Sequence, residues 1–274
     1  MHAEAETVMS LKTLSMTYSA RLINAKAAIG DGARILHIGC GDGYLDSYLS
    51  GRFFSVMGVD INFVELQSAS IMNAGRNVGY VLIDGFILPF QESSYDEIVC
   101  IDVLEHAEDD VLLVREMSRV LKKGGGLTIT VPNADYPLTF DPINYLLEVS
   151  TGRHLPLGMW GFGHRRLYNV ESLSGLLESV GLTIVGVTRM SYSLIGFIEN
   201  AYLLNIVQPF SKSSASNLAL GTEVDSRGVW RKVIALEPPA LLKAARDLGI
   251  RLDKALFDGS RSSINFLVRA QKAS

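Results

Sequence analysis

The chain has 274 residues, 48% apolar and 20% charged, which allows a substantial core and argues against global disorder. A formal net charge of −4 gives no whole-protein case for a nucleic-acid partner. Two cysteines, Cys40 and Cys100, do not make a disulfide framework and fit a reducing, cytoplasmic setting. The charge is uneven: from Ser211 onward 11 Lys and Arg stand against 6 Asp and Glu, so this part carries +5 and the rest −9.

Met1 to Ser10 holds Glu4 and Glu6 and lacks an apolar signal core. Val8 to Ile29 has helical spacing and ends at Gly30-Asp31-Gly32. An alternation follows. Arg34 to Ile38 reads as a strand, then a glycine turn and a helix from Tyr44. Ser55 to Asp60 reads as a strand, Val64 to Ala74 as a helix and Tyr80 to Ile83 as a strand. Glu97 to Asp102 is a buried-strand pattern followed by a helix over Val111 to Leu121, ended by Gly124-Gly125-Gly126. Leu127 to Val131 is the next strand. Such alternation predicts an α/β fold, a mostly parallel sheet with helices on both faces. Pro132 to Arg166, rich in Pro, Gly and aromatics, reads as a long functional loop. Asn169 caps a helix to Val180, and Leu182 to Thr188 and Ser263 to Ala270 are late strands. About 70 mainly helical residues separate those two strands, with a joint at Ser211 to Ser216. The domain plan is an N-terminal helical segment (1–32), a core (33–188), a helical insertion (189–262) and a final core strand (263–274).

The strongest signal is Gly39-Cys40-Gly41-Asp42-Gly43 between a strand and a helix. Glycines let the backbone turn tightly and approach a ligand, and the next helix offers free N–H groups. A dinucleotide fingerprint would need glycine where Tyr44 stands. Asp60 closes the second strand, where a carboxylate can accept from both ribose hydroxyls. Asp84-Gly85 follows the third strand, and Asp102-Val103-Leu104-Glu105-His106 the fourth. These strand ends face one crevice.

This set resembles the class I S-adenosylmethionine (SAM) dependent methyltransferases, the group called type 11, from about Ala33 to Pro132 and more loosely to Leu182. The resemblance implies a Rossmann-like seven-stranded sheet with Ser263 to Ala270 as an inserted antiparallel strand. It implies SAM as cofactor, with Gly39, Cys40, Gly41 and Gly43 around the methionine part. Asp60 and Ile61 are then placed at the ribose, Asp84 and Gly85 near the adenine, and Asp102 beyond the fourth strand. The chain departs at His37, where the family usually has an acid; a histidine cannot supply that charge, and a buried strand histidine is the alternative reading.

Methyl transfer needs alignment of the acceptor, and a base only where the acceptor keeps its proton. His106, His154, His164 and Tyr168 are candidates, with His106 and His164 preferred; no metal site is expected. Aromatic residues between Pro132 and Phe162 suit a hydrophobic small-molecule or lipid-linked acceptor. A SAM-binding regulatory protein without turnover is the alternative, and an NAD-dependent oxidoreductase is disfavoured. Leu194 to Phe210 is interrupted by Glu199, Asn200 and Asn205, too polar to span a bilayer. Leu241, Ala245, Leu248, Leu252 and Ala255 recur at helical spacing with Lys243, Arg246, Arg251 and Lys254 between them. That pattern suits a helical cap with a peripheral membrane contact, or two helices packed on the sheet.

Overall fold

The computed structural model describes residues 15–136, 147, 150–152, 164–196, 240–257, 260 and 263–273. Its strands are β1 (Arg34–Ile38), β2 (Ser55–Asp60), β3 (Val78–Leu82), β4 (Tyr95–Ile101), β5 (Leu121–Pro132), β6 (Leu182–Met190) and β7 (Asn265–Lys272). The helices are α1 (Met16–Ala28), α2 (Tyr44–Leu49), α3 (Phe63–Met72), α4 (Asp110–Val120), α5 (Val170–Glu178) and α6 (Ala240–Phe257). The strands form one sheet in the order β3-β2-β1-β4-β5-β7-β6. β1 pairs in parallel with β2 and β4, while β7 runs antiparallel between β5 and β6. This is the expected seven-stranded, mostly parallel α/β sheet with its last strand inserted. The order reverses between β1 and β4, which opens a crevice at their carboxyl ends.

A sheet covered on both faces needs apolar residues at successive positions, and β1 supplies Ile35, Leu36 and Ile38, all buried. Ile35 and Val99 face Leu22 of α1 and Leu45 and Leu49 of α2. Leu36 and Ile98 face the other way, onto Leu113 and Met117 of α4 and Leu173 of α5. Side chains start the helices that border the crevice. Asn62 accepts from Val64 N at 3.0 Å, Asp109 from Leu112 N at 2.8 Å, and Asn169 forms a capping box with Ser172.

Two expected boundaries differ. The helix ends at Val120, and β5 begins at Leu121 rather than Leu127. The glycine triplet is therefore not a helix stop; it lies where the β4–β5 register shifts between Tyr95 and Glu97. A Cβ on Gly125 would meet Asp96 O at 2.9 Å, so the bulge closes only without a side chain. Of the other expectations, residues 1–14, most of the 132–166 loop including His154, the apolar run beyond Gly196 and the 211–216 joint lie outside the described residues.

α6 is fixed in one orientation by Asp253. This carboxylate is buried, and it accepts from the backbone N–H groups of Tyr192 (2.6 Å), Leu194 (3.1 Å) and Ile195 (3.1 Å) just past β6. On the α1 side, Gly249 lies where a Cβ would meet Met16 Sδ at 2.9 Å.

Candidate active site

The three glycines of the loop all have positive φ: 69° at Gly39, 52° at Gly41 and 75° at Gly43. Their surroundings differ. A Cβ on Gly39 would collide with Val103, and one on Gly43 with the Tyr80 hydroxyl and Asn73. A Cβ on Gly41 would meet nothing nearer than Glu65 Oε2 at 3.9 Å. Gly39 and Gly43 are thus glycines of packing, while Gly41 borders open space. Asp60 holds that open turn in place. One of its oxygens accepts from Gly41 N at 2.9 Å and the other from Asn62 N at 2.8 Å. Each carboxylate oxygen keeps a further lone pair for a ligand hydroxyl.

Beyond Asp60 two apolar side chains are left accessible. Ile61 is 68% exposed, and Ile87 is 67% exposed. Ile83 N donates to Asp60 O at 3.0 Å, which brings the following Asp84, an exposed acid, to the same end of the sheet. Gly85 has φ 91°, with nothing within 4 Å of an added Cβ. The Leu88-Pro89-Phe90 segment is clamped by α4. Arg119 donates to Leu88 O at 2.9 Å and Phe90 O at 2.7 Å, while Leu88 N donates to Glu116 at 3.0 Å.

His37 does not line the open crevice. It is buried, with Nδ1 2.6 Å from Asp46 Oδ1 of α2. The acidic group absent at position 37 is thus present beside it, supplied from nine residues further on. Cys40 is buried too, its sulfur against the place a Gly58 Cβ would take, so its backbone alone belongs to the turn.

Past β4 the chain turns through a short 3₁₀ helix, Leu104–His106. Asp102 enters it at φ 51°, its carboxylate accepting from Thr130 Oγ1 at 2.9 Å and paired with Arg21 of α1. His164 is brought to this turn by its neighbours. Arg165 N donates to Glu105 O at 2.8 Å, Arg165 pairs with Glu108, and Arg166 donates to Ala107 O at 2.8 Å and pairs with Asp110. The His106 and His164 rings lie edge to face, 4.9 Å between centroids. Burial, then His106 and Arg21, hold the His164 pKa down at about 4, so its imidazole is neutral at physiological pH. Glu105 is fully buried beneath the pair, and neither carboxylate oxygen has a hydrogen-bond partner. Burial pushes its pKa up to about 7, against smaller lowerings by its own backbone N–H and then by Arg21.

Ligand atoms of Glu105, His106 and His164 lie within 4.8 Å of one another. They are the group among the described residues whose donors could hold a cation, which the sequence reading had not expected. Tyr168, read as a candidate base, is corrected: it is buried, its hydroxyl donates to Asp110 at 2.6 Å, and burial raises its pKa. The sequence reading also missed Arg21, Asp46 and the burial of Glu105. Only Glu105 carried a signal, as a member of the segment after β4.

Sheet order, open glycine turn and the Asp60 carboxylate at the end of β2 together define a Rossmann-like fold with an open crevice. Residues 36–129 match the family model described as a methyltransferase domain, and the proteins this chain resembles include SAM-dependent methyltransferases. A ubiquinone biosynthesis O-methyltransferase of Idiomarina loihiensis is 26% identical over 174 residues, 61% of this chain and 69% of that protein. The fold is shared with a SAM-dependent methyltransferase of Mesorhizobium loti at TM-score 0.54 and 17% identity, over 91% of this chain and 96% of that one. It is also shared with a (4+2)-cyclase at TM-score 0.57 and 18% identity, over 92% and 80%. SAM is the cofactor, and when bound it supplies a methyl group activated by a sulfonium.

Proposed function

We propose that the protein methylates a hydroxyl oxygen of a hydrophobic, lipid-like small molecule, with the His106–His164 pair as the base. The observation that carries this reading is the placement of the His106 and His164 rings edge to face, 4.9 Å between centroids, at the turn that follows β4. A hydroxyl is a poor nucleophile until its proton is taken, and a neutral imidazole can take it. Thiolates and unprotonated amines need such help less. The O-methyltransferase named above supports the choice of oxygen.

In this reading Gly41 admits the methionine part, Asp60 accepts from the ribose, and Ile61, Asp84 and Gly85 border the adenine. Gly39, Gly43 and Cys40 shape the turn by packing. His37 acts through Asp46, as a positioning residue. Asp102 with Arg21 closes the side nearest the acceptor. Arg165 and Arg166 keep the two histidines facing each other.

Single-turnover methyl transfer to a panel of hydrophobic phenols and matched amines tests this. Phenols are expected to be methylated. Alanine at the acting histidine should slow the step about 10²–10⁴-fold with SAM affinity nearly intact. Amine methylation alone, or unchanged rates in both His106→Ala and His164→Ala, would contradict it.

A further inference from the structure

We infer that the outward face of α6 docks on an anionic lipid bilayer. The helix has three sides. Its inward side carries Gly249, Asp253 and Phe257, which meet Met16, the residues after β6 and Tyr192. A second side is apolar and not covered by other described residues: Leu241 is 80% exposed, Leu248 57%, Leu252 48% and Leu256 66%. At about 100° per residue these four fall within one narrow stripe.

A surface helix ordinarily turns such a stripe toward the core. Here the three N–H groups bound by Asp253 hold the helix the other way, with its leucines in solvent. Four adjacent exposed leucines form a patch, unlike the scattered apolar residues of most surfaces. Exposed Arg251 borders it, about 60° round the helix from Leu248. The one acid of α6 besides buried Asp253 is Asp247, already paired with Arg246 at 2.8 Å.

The helix is therefore net positive on a chain whose net charge is −4. Two copies of this face would bring their Arg251 side chains together, whereas an anionic surface attracts Arg251 and accepts the leucines. The inference stands on α6 and not on the acceptor reading.

Co-sedimentation of the full chain with vesicles of phosphatidylcholine alone, or with about a quarter phosphatidylglycerol, tests it. Binding should be about tenfold or more stronger to the anionic vesicles and weakened by salt. Both Leu248→Glu/Leu252→Glu and Arg251→Glu should lose it, with circular dichroism and SAM titration unchanged. Equal or absent binding to both vesicles, or binding that survives both variants, overturns the inference. So does a wild-type dimer that the leucine variant makes monomeric. Turnover of a water-soluble phenol by the same variants should be unchanged, which keeps a failure of docking distinct from a failure of the proposed chemistry.

Discussion

Glu105 is the residue whose chemistry the fold changes most. Its carboxyl ordinarily titrates at 4.5, and burial pushes it up to about 7 in the folded chain. Between those values the folded chain holds more protons than the unfolded one, so stability falls as pH rises from 4.5 to about 7 and stays reduced above. Glu105→Gln should flatten the fall in melting temperature between about pH 5 and 8, worth on the order of 3 kcal/mol in the wild type. The same pH dependence in both proteins would contradict the burial argument. The glycines separate by a different criterion. Gly39→Ala strains the backbone and meets Val103, so it should cost stability, roughly 1–3 kcal/mol. Gly41→Ala carries the backbone strain without the collision, and its Cβ enters open space, so it should chiefly weaken SAM binding. Thermal melts with and without SAM would read both effects.

At the scale of elements, β1, β2 and β4 were legible because buried parallel strands leave apolar runs ending in Gly39, Asp60 and Asp102. The start of α5 was legible because Asn169 carries the cap in its own side chain, whereas the Asn62 cap of α3 was not read. The β5 start was not, since a glycine triplet reads equally as a helix stop or a bulge, and only the approach of Asp96 O decides. The pairing of His164 with His106 was likewise hidden. It depends on Arg165 and Arg166 reaching back to Glu108 and Asp110, 57 and 56 residues earlier in the sequence. Candidate residues could be named from the motif, but not their partners. Asp253 was invisible for the same reason. Asp253→Ala leaves three backbone N–H groups without their acceptor and should cost about 2–4 kcal/mol by chemical denaturation. A loss below about 0.5 kcal/mol would mean that α6 is held by its other contacts.

For the whole molecule, one crevice joins the two chemistries: an open glycine turn with Asp60 on the β1–β2 side, and the histidine pair beyond β4. Among the described residues no helix is long and apolar enough to cross a membrane. The likeness to a cyclase shows that this architecture alone does not specify methyl transfer, so the cofactor site bears the weight. Calorimetric titration of SAM into the wild type and Asp60→Ala, with folding checked by circular dichroism, is the most direct test. The account predicts saturable one-to-one binding by the wild type, weakened in the variant by about 1–3 kcal/mol, roughly 5- to 150-fold. No binding by the wild type, or equal affinity in both, would contradict it.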